Sequence, residues 1–335
     1  MILAVIPSPV ADGAERQTMQ VARGLGASVT ADAPLGLATP GLEAPLAYDA
    51  ARPVAENQAR QRAAMRAVLA RCRPEAALVC CALPNEGLGA MLALDEAGVP
   101  QLGVAHLVRA DWSLGETDRA AMAGLRAGWA AVSEPAARRL EALFGLGWGE
   151  VAALPNGMPP VTPRRREPAT PRVLLQVGRL DHRKGADLAP AIAARIAPAV
   201  LALAGEGPLA GRLPGVRELG PVRDIRAELA RATAFLLPSL HEGCPLSVLE
   251  AAQEGCPIIA TAAALEAWPE ASRMAWVVPR DPGAVANAFA AIQARPEEAR
   301  ERAAIARAVV AAWDEAAMLR RTEALLAMEV LRWGG

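Results

Sequence analysis

The chain has 335 residues, a formal net charge of -1, a hydrophobic content of 53% and only 3% aromatic residues. That length suits two domains of ordinary size, and the near-neutral charge excludes a protein built for bulk nucleic-acid binding. The alanine-heavy apolar fraction fits helices packed on sheets and excludes a disordered chain.

The opening MILAVIPSPVADGAER lacks a basic leader, and residues 2–6 (ILAVI) read as a first buried strand rather than a signal peptide. A Pro/Gly loop and a helical pattern over 14–25 follow. Residues 76–83, 101–105, 128–132 and 150–154 are further strand-like runs, with helical segments at 55–72 and 86–97. Strands alternating with helices predict a parallel, doubly wound sheet. Residues 158–171 (MPPVTPRRREPATP) carry five prolines and three arginines and predict an interdomain linker.

The alternation resumes at 172–177 and continues through 199–204, 216–219, 234–237, 257–260 and 274–278. Within it, residues 188–205 form the longest apolar stretch, but Arg195, Pro190 and Pro198 interrupt it. A membrane span needs about 20 mostly apolar residues, so a helix and a buried strand are expected there. Residues 283–294 and 297–332 read as helices. The chain thus divides into a first domain (1–157), the linker (158–171), a second domain (172–310) and a C-terminal helix (311–335) able to pack back on the first domain. Ligands of open α/β sheets bind at the carboxyl edge of the strands, which favours a two-substrate enzyme or a binding protein over a structural role.

Five cysteines (Cys72, Cys80, Cys81, Cys244 and Cys256) are odd in number and form no Cys-x-x-Cys pair. Neither a disulfide framework nor a zinc site is expected, and the cytoplasm is the expected compartment. Of the 35 basic residues, 34 are arginine; Lys184 is the exception.

Two segments carry the chemistry. The first is Val177-Gly178-Arg179-Leu180-Asp181-His182-Arg183-Lys184-Gly185, a strand end and the loop after it. Arg179 offers a bidentate fork and Lys184 a compact charge, a pair suited to a diphosphate; a solvated basic loop is the other reading. The second runs from Pro238 to Ala252. Here a strand feeds a loop holding Glu242 and Gly243, and a helix starts near Pro245 with Glu250 in its second turn. Free N–H groups at that helix start suit an anion or sugar oxygens, and two carboxylates can accept hydrogen bonds from hydroxyls on two parts of one ligand. A surface position on the helix, and a charge balancing the arginines, are the alternatives for Glu250 and Glu242.

Together with the turn Gly205-Glu206-Gly207-Pro208, these segments resemble the retaining glycosyltransferases of the GT-B fold, often called family 4. Glu242 and Glu250 have the family's spacing of two glutamates separated by seven residues, and the match covers 173–281. The resemblance implies two Rossmann-like doubly wound α/β domains facing a central cleft. It also implies a retaining, metal-independent transfer of a sugar from a nucleotide-diphosphate sugar to an acceptor: glycan, lipid or small molecule. Arg179 and Lys184 would bind the donor's phosphates, and Glu250 the ribose hydroxyls. Glu242 would hold the transferred sugar with the backbone of Gly243, Cys244, Pro245 and Leu246. Gly178 would belong to the donor-binding residues, and backbone near Val222 and Arg223 would face the base. No cofactor and no metal are expected, and the sequence has no Asp-x-Asp.

In the first domain, Ala11-Asp12-Gly13-Ala14-Glu15-Arg16 resembles the family's loop after its first strand, with Asp12 in place of a glycine and Gly13 able to approach the donor. An aspartate there would repel a diphosphate. His106 resembles the family's strand-end histidine near the sugar, and joins Arg179, Lys184 and Glu242 as a candidate catalytic residue; a core histidine is its other reading. Ser133-Glu134-Pro135 reads as a helix cap and Pro155-Asn156-Gly157-Met158 as the turn into the linker.

Gly205-x-Gly207-x-x-x-Gly211 with Asp224 downstream imitates a dinucleotide fingerprint, but Pro208 and the extra residue depart from it, so a nicotinamide enzyme is not expected. Arg60, Arg62, Arg66, Arg71 and Arg73 make one helix and its end basic: either a solvated face or a peripheral contact with an anionic membrane. A sugar-nucleotide 2-epimerase of similar fold and a non-catalytic nucleotide-sugar binder remain as alternative functions.

Overall fold

A computed structural model describes residues 1–334 of the chain. The chain forms two compact units, one of Met1–Gly157 together with the segment from Glu315 onward, the other of Met158–Asp314.

In the first unit, β1 (Ile2–Ile6), β2 (Ser28–Ala31), β3 (Ala76–Cys81), β4 (Gln101–Ala105), β5 (Gly128–Ala131) and β6 (Val151–Ala153) form one parallel sheet in the order β2-β1-β3-β4-β5-β6. Parallel neighbours need crossovers. These are α1 (Gly13–Gly24), α2 (Val54–Leu69), α3 (Leu88–Glu96), α4 (Glu116–Ala123) and α5 (Glu134–Phe144). Leu3 and Val5 pack to one side with Met65, Val79 and Trp129, while Ala4 and Ile6 pack to the other with Ala22 and Val29. Burial on both faces explains why the strands read as unbroken apolar runs. Ser133 caps α5, its Oγ accepting from the Ala136 N–H at 3.3 Å.

The second unit repeats the parallel architecture with a different strand order. β7 (Val173–Val177), β8 (Val200–Ala204), β9 (Arg217–Gly220), β10 (Ala234–Leu237), β11 (Ile258–Ala260) and β12 (Trp276–Val277) run β12-β11-β10-β7-β8-β9. Its helices are α6 (Ala189–Ile196), α7 (Ile225–Arg231), α8 (Leu246–Gln253), α9 (Ala271–Met274), α10 (Pro282–Ala294) and α11 (Pro296–Val310). Leu174, Leu203, Leu236, Ile192 and Phe289 lie in one core cluster. The order reverses between β7 and β10, so their following loops diverge to opposite faces and leave a crevice at the carboxyl edge.

The structure adds to the sequence reading at three places. The segment 158–171 is irregular, as its prolines require, and it is strapped along the second unit. The Arg164 N–H donates to Glu254 at 3.0 Å, Arg164 pairs with Asp224 at 2.9 Å, and Arg166 donates to the Leu229 and Ala232 carbonyls. The helical run 297–332 is broken at 311–314, so the last helix is α12 (Glu315–Gly334) and the boundary lies four residues beyond the expected one. Finally, β2 was not foreseen.

Helix α12 belongs to the first unit, where it packs on α1, β3, β4 and β5. Gln20 donates to Glu315 at 2.8 Å, and Arg126 stacks 4.1 Å from the ring centroid of Trp333. Gly24 permits the approach, since a Cβ there would meet Leu319 at 2.5 Å. Among the described residues, no helix is long and apolar enough to cross a membrane.

Candidate active site

The second unit's switch point gathers the loops after β7, β8 and β10. The Gly178 N–H donates to the Ala204 carbonyl at 2.9 Å and the Leu180 N–H to the Glu206 carbonyl at 2.7 Å, which sets the loop of Arg179 directly on the loop of Gly205 and Gly207. Glycine is required for that approach. Gly205 has φ +146°, and a Cβ there would sit 1.9 Å from the Gly178 carbonyl oxygen. Gly205 and Gly207, two of the three glycines that imitated a dinucleotide fingerprint, therefore serve close backbone packing, whereas nothing lies within 4 Å of a Cβ on Gly211. Asp224, the look-alike's acidic partner, is the N-cap of α7, accepting from the Ala227 N–H at 3.2 Å.

The loop then turns back. The Lys184 N–H donates to Asp181 Oδ1 at 2.8 Å, and Gln176 from β7 donates to the Lys184 carbonyl at 3.0 Å. The Leu240 N–H donates to the Arg183 carbonyl at 2.8 Å, joining this loop to the one after β10. As a result Lys184 Nζ lies 2.5 Å from Glu242 Oε1, with side chains 15% and 7% exposed. Arg183 stands beside them, 3.8 Å from Glu242 Oε2, and donates to the His241 carbonyl at 3.3 Å. Arg179 faces Asp181 at 3.5 Å. Gly243, Cys244 and Pro245 are buried, and α8 starts at Leu246 with Pro245 as its cap residue. Glu250 follows in its second turn and is 8% exposed. Val222 is half-buried and Arg223 exposed, on the loop between β9 and α7.

The second unit thus brings Lys184 and Glu242 into contact and adds Arg183, which sequence reasoning passed over. In a chain with 34 arginines an extra one carries no signal. The same holds for Arg280, which donates to Asp187 at 2.6 Å while Asp187 lies 3.0 Å from His182 Nδ1.

Gly13 and His106 belong to the first unit. Gly13 opens α1, and Asp12 is its N-cap residue, its N–H donating to Glu15 Oε2 at 2.9 Å. The aspartate that breaks the glycine pair therefore starts a helix. His106 directly follows β4, its backbone N–H donating to the Cys81 carbonyl at 2.9 Å. Its Nε2 is buried without a hydrogen-bond partner, and desolvation lowers its pKa to about 4, so the ring is neutral at neutral pH. At the same sheet edge, burial pushes the Glu86 carboxyl up to about 7, with the Glu15 charge adding to the rise; burial raises Glu15 too.

The arginines of α2 and of the segment just after it are largely engaged within the fold. Arg60 donates to the Pro45 and Ala47 carbonyls, Arg62 and Arg66 share Glu96, and Arg71 donates to the Glu43 carbonyl; Arg73 is exposed.

Residues 171–294 match the family model described as Glycosyl transferases group 1. No curated protein matches the sequence. Among solved structures, HepE of Anabaena in complex with UDP-glucose is similar with a TM-score of 0.78, at 17% identity over 98% of this chain and 100% of that one. A glycosyltransferase from Rickettsia africae is similar with a TM-score of 0.74, at 13% identity over 98% of each chain. WaaG, a glycosyltransferase involved in lipopolysaccharide biosynthesis, is similar with a TM-score of 0.72, at 15% identity over 96% of this chain and 98% of that one. The fold is GT-B, and the resemblance of the second unit to group 1 glycosyl transferases stands on sequence.

Proposed function

We propose that this GT-B glycosyltransferase transfers a sugar from a nucleoside-diphosphate sugar to a hydroxyl acceptor, with retention at the anomeric carbon and without a metal. The observation that carries the reading is the Lys184–Glu242 contact at the switch point of the second sheet, beside Arg183 and on the loop that leads into α8. A donor entering that crevice by its phosphates takes Lys184 as a counter-ion and leaves Glu242 to accept from hydroxyls of the sugar. Arg179 adds a second cation. Charge that develops on the leaving diphosphate is met by fixed cations and by N–H groups at a helix start, which is the work a metal does elsewhere. Glu250, one turn deeper, accepts from the ribose hydroxyls, and backbone near Val222 and Arg223 faces the base.

His106 enters as a neutral imidazole near the transferred sugar, able to hydrogen-bond a hydroxyl without adding charge. The odd number of cysteines and the lack of a Cys-x-x-Cys pair support a reducing, cytoplasmic setting. UDP-glucose is the first donor to try, because HepE of Anabaena is seen with UDP-glucose.

The test is binding and turnover of UDP-glucose and other nucleoside-diphosphate sugars, with and without EDTA, followed by the anomeric configuration of any product. Transfer with retention and no loss in EDTA is expected. An inverted product or loss in EDTA would overturn the respective part. Isomerised sugar from donor alone would point instead to a 2-epimerase.

A further inference from the structure

We propose that the first unit holds an internal water molecule bridging Gln17 and His106, and that Gln17 acts through this water as a positioning residue for the imidazole. The kinetic consequence rests on the role proposed above for His106; the water site rests on geometry alone.

A cavity of about 20 Å³ lies inside the first unit, where α1, β3, β4 and α12 meet, and its polar lining consists of Gln17, Thr18, His106, Asn156 and Thr322. One water needs roughly 10–15 Å³. Gln17 is 2% exposed, and its Nε2 donates to the Gly157 carbonyl at 3.4 Å and to the Met318 sulfur at 2.6 Å. Those acceptors fix which way the amide points, so Oε1 is left needing a donor, and it has none in the protein. His106 lines the same cavity, and its Nε2 is also buried and unpartnered. Two orphaned polar atoms on one small cavity are a costly arrangement unless something joins them.

The neighbouring hydroxyls cannot. Thr18 gives its proton to the Ala14 carbonyl at 3.0 Å, and Thr322 gives its own to the Met318 carbonyl at 2.9 Å. Each hydroxyl has one proton, and both are committed to helix carbonyls. A water supplies what is missing: one proton for Gln17 Oε1, a second bond to His106 Nε2, and capacity left for a threonine oxygen. Three bonds are typical of a buried water. The His106 backbone is already held by the sheet, so the ring torsions are the freedom that this bridge removes.

The purified full chain tests this through a high-resolution crystal structure and ¹⁵N NMR of the His106 ring. A water peak within about 3 Å of both Gln17 Oε1 and His106 Nε2 is expected. Gln17→Met removes the acceptor. Val104→Ile adds a methyl to the cavity wall and displaces the water with both partner side chains intact, which keeps the test sound if the first variant folds poorly. Both should shift the Nε2 resonance. Both should also lower kcat for UDP-glucose consumption by about tenfold, the loss of one hydrogen bond, with KM for the donor unchanged. An empty cavity, or an Nε2 signal identical in wild type and both variants, overturns the proposal. If His106→Ala consumes UDP-glucose at the wild-type rate while the water peak is present, the role of His106 fails and the water site stands.

Discussion

Lys184 Nζ and Glu242 Oε1 lie 2.5 Å apart although 58 positions separate them in the chain. The sheet order does this: β7 and β10 are neighbours on either side of the switch point, so the loops that follow them share one crevice. The pair also explains why a chain so rich in arginine keeps one lysine here. The Lys184 stem runs past Gly178, where even a Cβ would stand 3.7 Å from Cε, and ends on a buried carboxylate already flanked by Arg183. A broad planar guanidinium does not fit that slot as a compact ammonium does.

Lys184→Ala should therefore lower kcat/KM for the donor by about 100-fold or more, in line with removal of one preorganised charge contact. Lys184→Arg should fail to restore it, leaving activity at least about tenfold below wild type. Steady-state kinetics with UDP-glucose checks both, and full activity in the arginine variant would sink the argument from shape.

Glu250→Ala separates the nucleoside from the sugar. Glu250 sits in the second turn of α8, 8% exposed, on the helix that follows the loop of Glu242. Its loss should weaken binding of UDP by about 10- to 100-fold, the worth of a hydrogen bond to a charged group. Glu242→Gln should weaken UDP-glucose but leave UDP within about threefold. Isothermal titration of UDP and UDP-glucose on both variants measures this directly, and equal losses on both ligands would contradict the division of roles.

Much of this site was legible because its residues stand where chemistry and chain geometry coincide. Strand ends are marked by glycine, as at Gly178 and Gly205, and helix starts by proline and capping residues, as at Pro245 and Ser133. Glu242 and Glu250 drew notice through their spacing. What was not legible depends on partners distant in sequence. Arg183, Arg164 and Arg166 are ordinary letters in an arginine-rich chain until the fold supplies His241, Asp224 and the Leu229 carbonyl. β2 is four residues including Ser28 and Thr30, too short and too polar to stand out beside the alanine-rich runs. The break at 311–314 lies in a stretch whose alanines favour helix, and only the packing of α12 on the first unit shows why the chain must turn.

Close backbone packing between the loops after β7 and β8 makes a stability prediction with an internal control. Gly205→Ala puts a Cβ 1.9 Å from the Gly178 carbonyl oxygen at φ +146°, so one of the two loops must move. Gly211 also has positive φ, +72°, but nothing lies within 4 Å of its Cβ position. Gly211→Ala should cost about 1 kcal/mol, the penalty of the left-handed conformation alone, and Gly205→Ala about 3 kcal/mol or more. Urea denaturation resolves that difference, and equal losses would mean that the loops are not held together by the hydrogen bonds of Gly178 and Leu180.

The first unit makes a pH prediction whose sign can be worked out. Burial raises the Glu86 carboxyl to about 7 from 4.5, so the folded state holds this proton more tightly than the unfolded state. Its contribution is full below pH 4.5 and is lost as the pH rises through 7, by on the order of 3 kcal/mol at most. His106 runs the other way. Burial lowers it to about 4 from 6.5, so its contribution is full above pH 6.5 and is lost as the pH falls towards 4. The two trends oppose each other between pH 4.5 and 6.5, and Glu15, raised by burial, reinforces Glu86. Glu86→Gln removes one side of the balance. The variant should be more stable than wild type at pH 8, where the native chain must hold a buried charge, and gain nothing at pH 4.5, where Glu86 is already protonated when folded. Thermal unfolding at the two pH values checks the crossing, and a stabilisation of equal size at both would show that packing, not ionisation, governs the position.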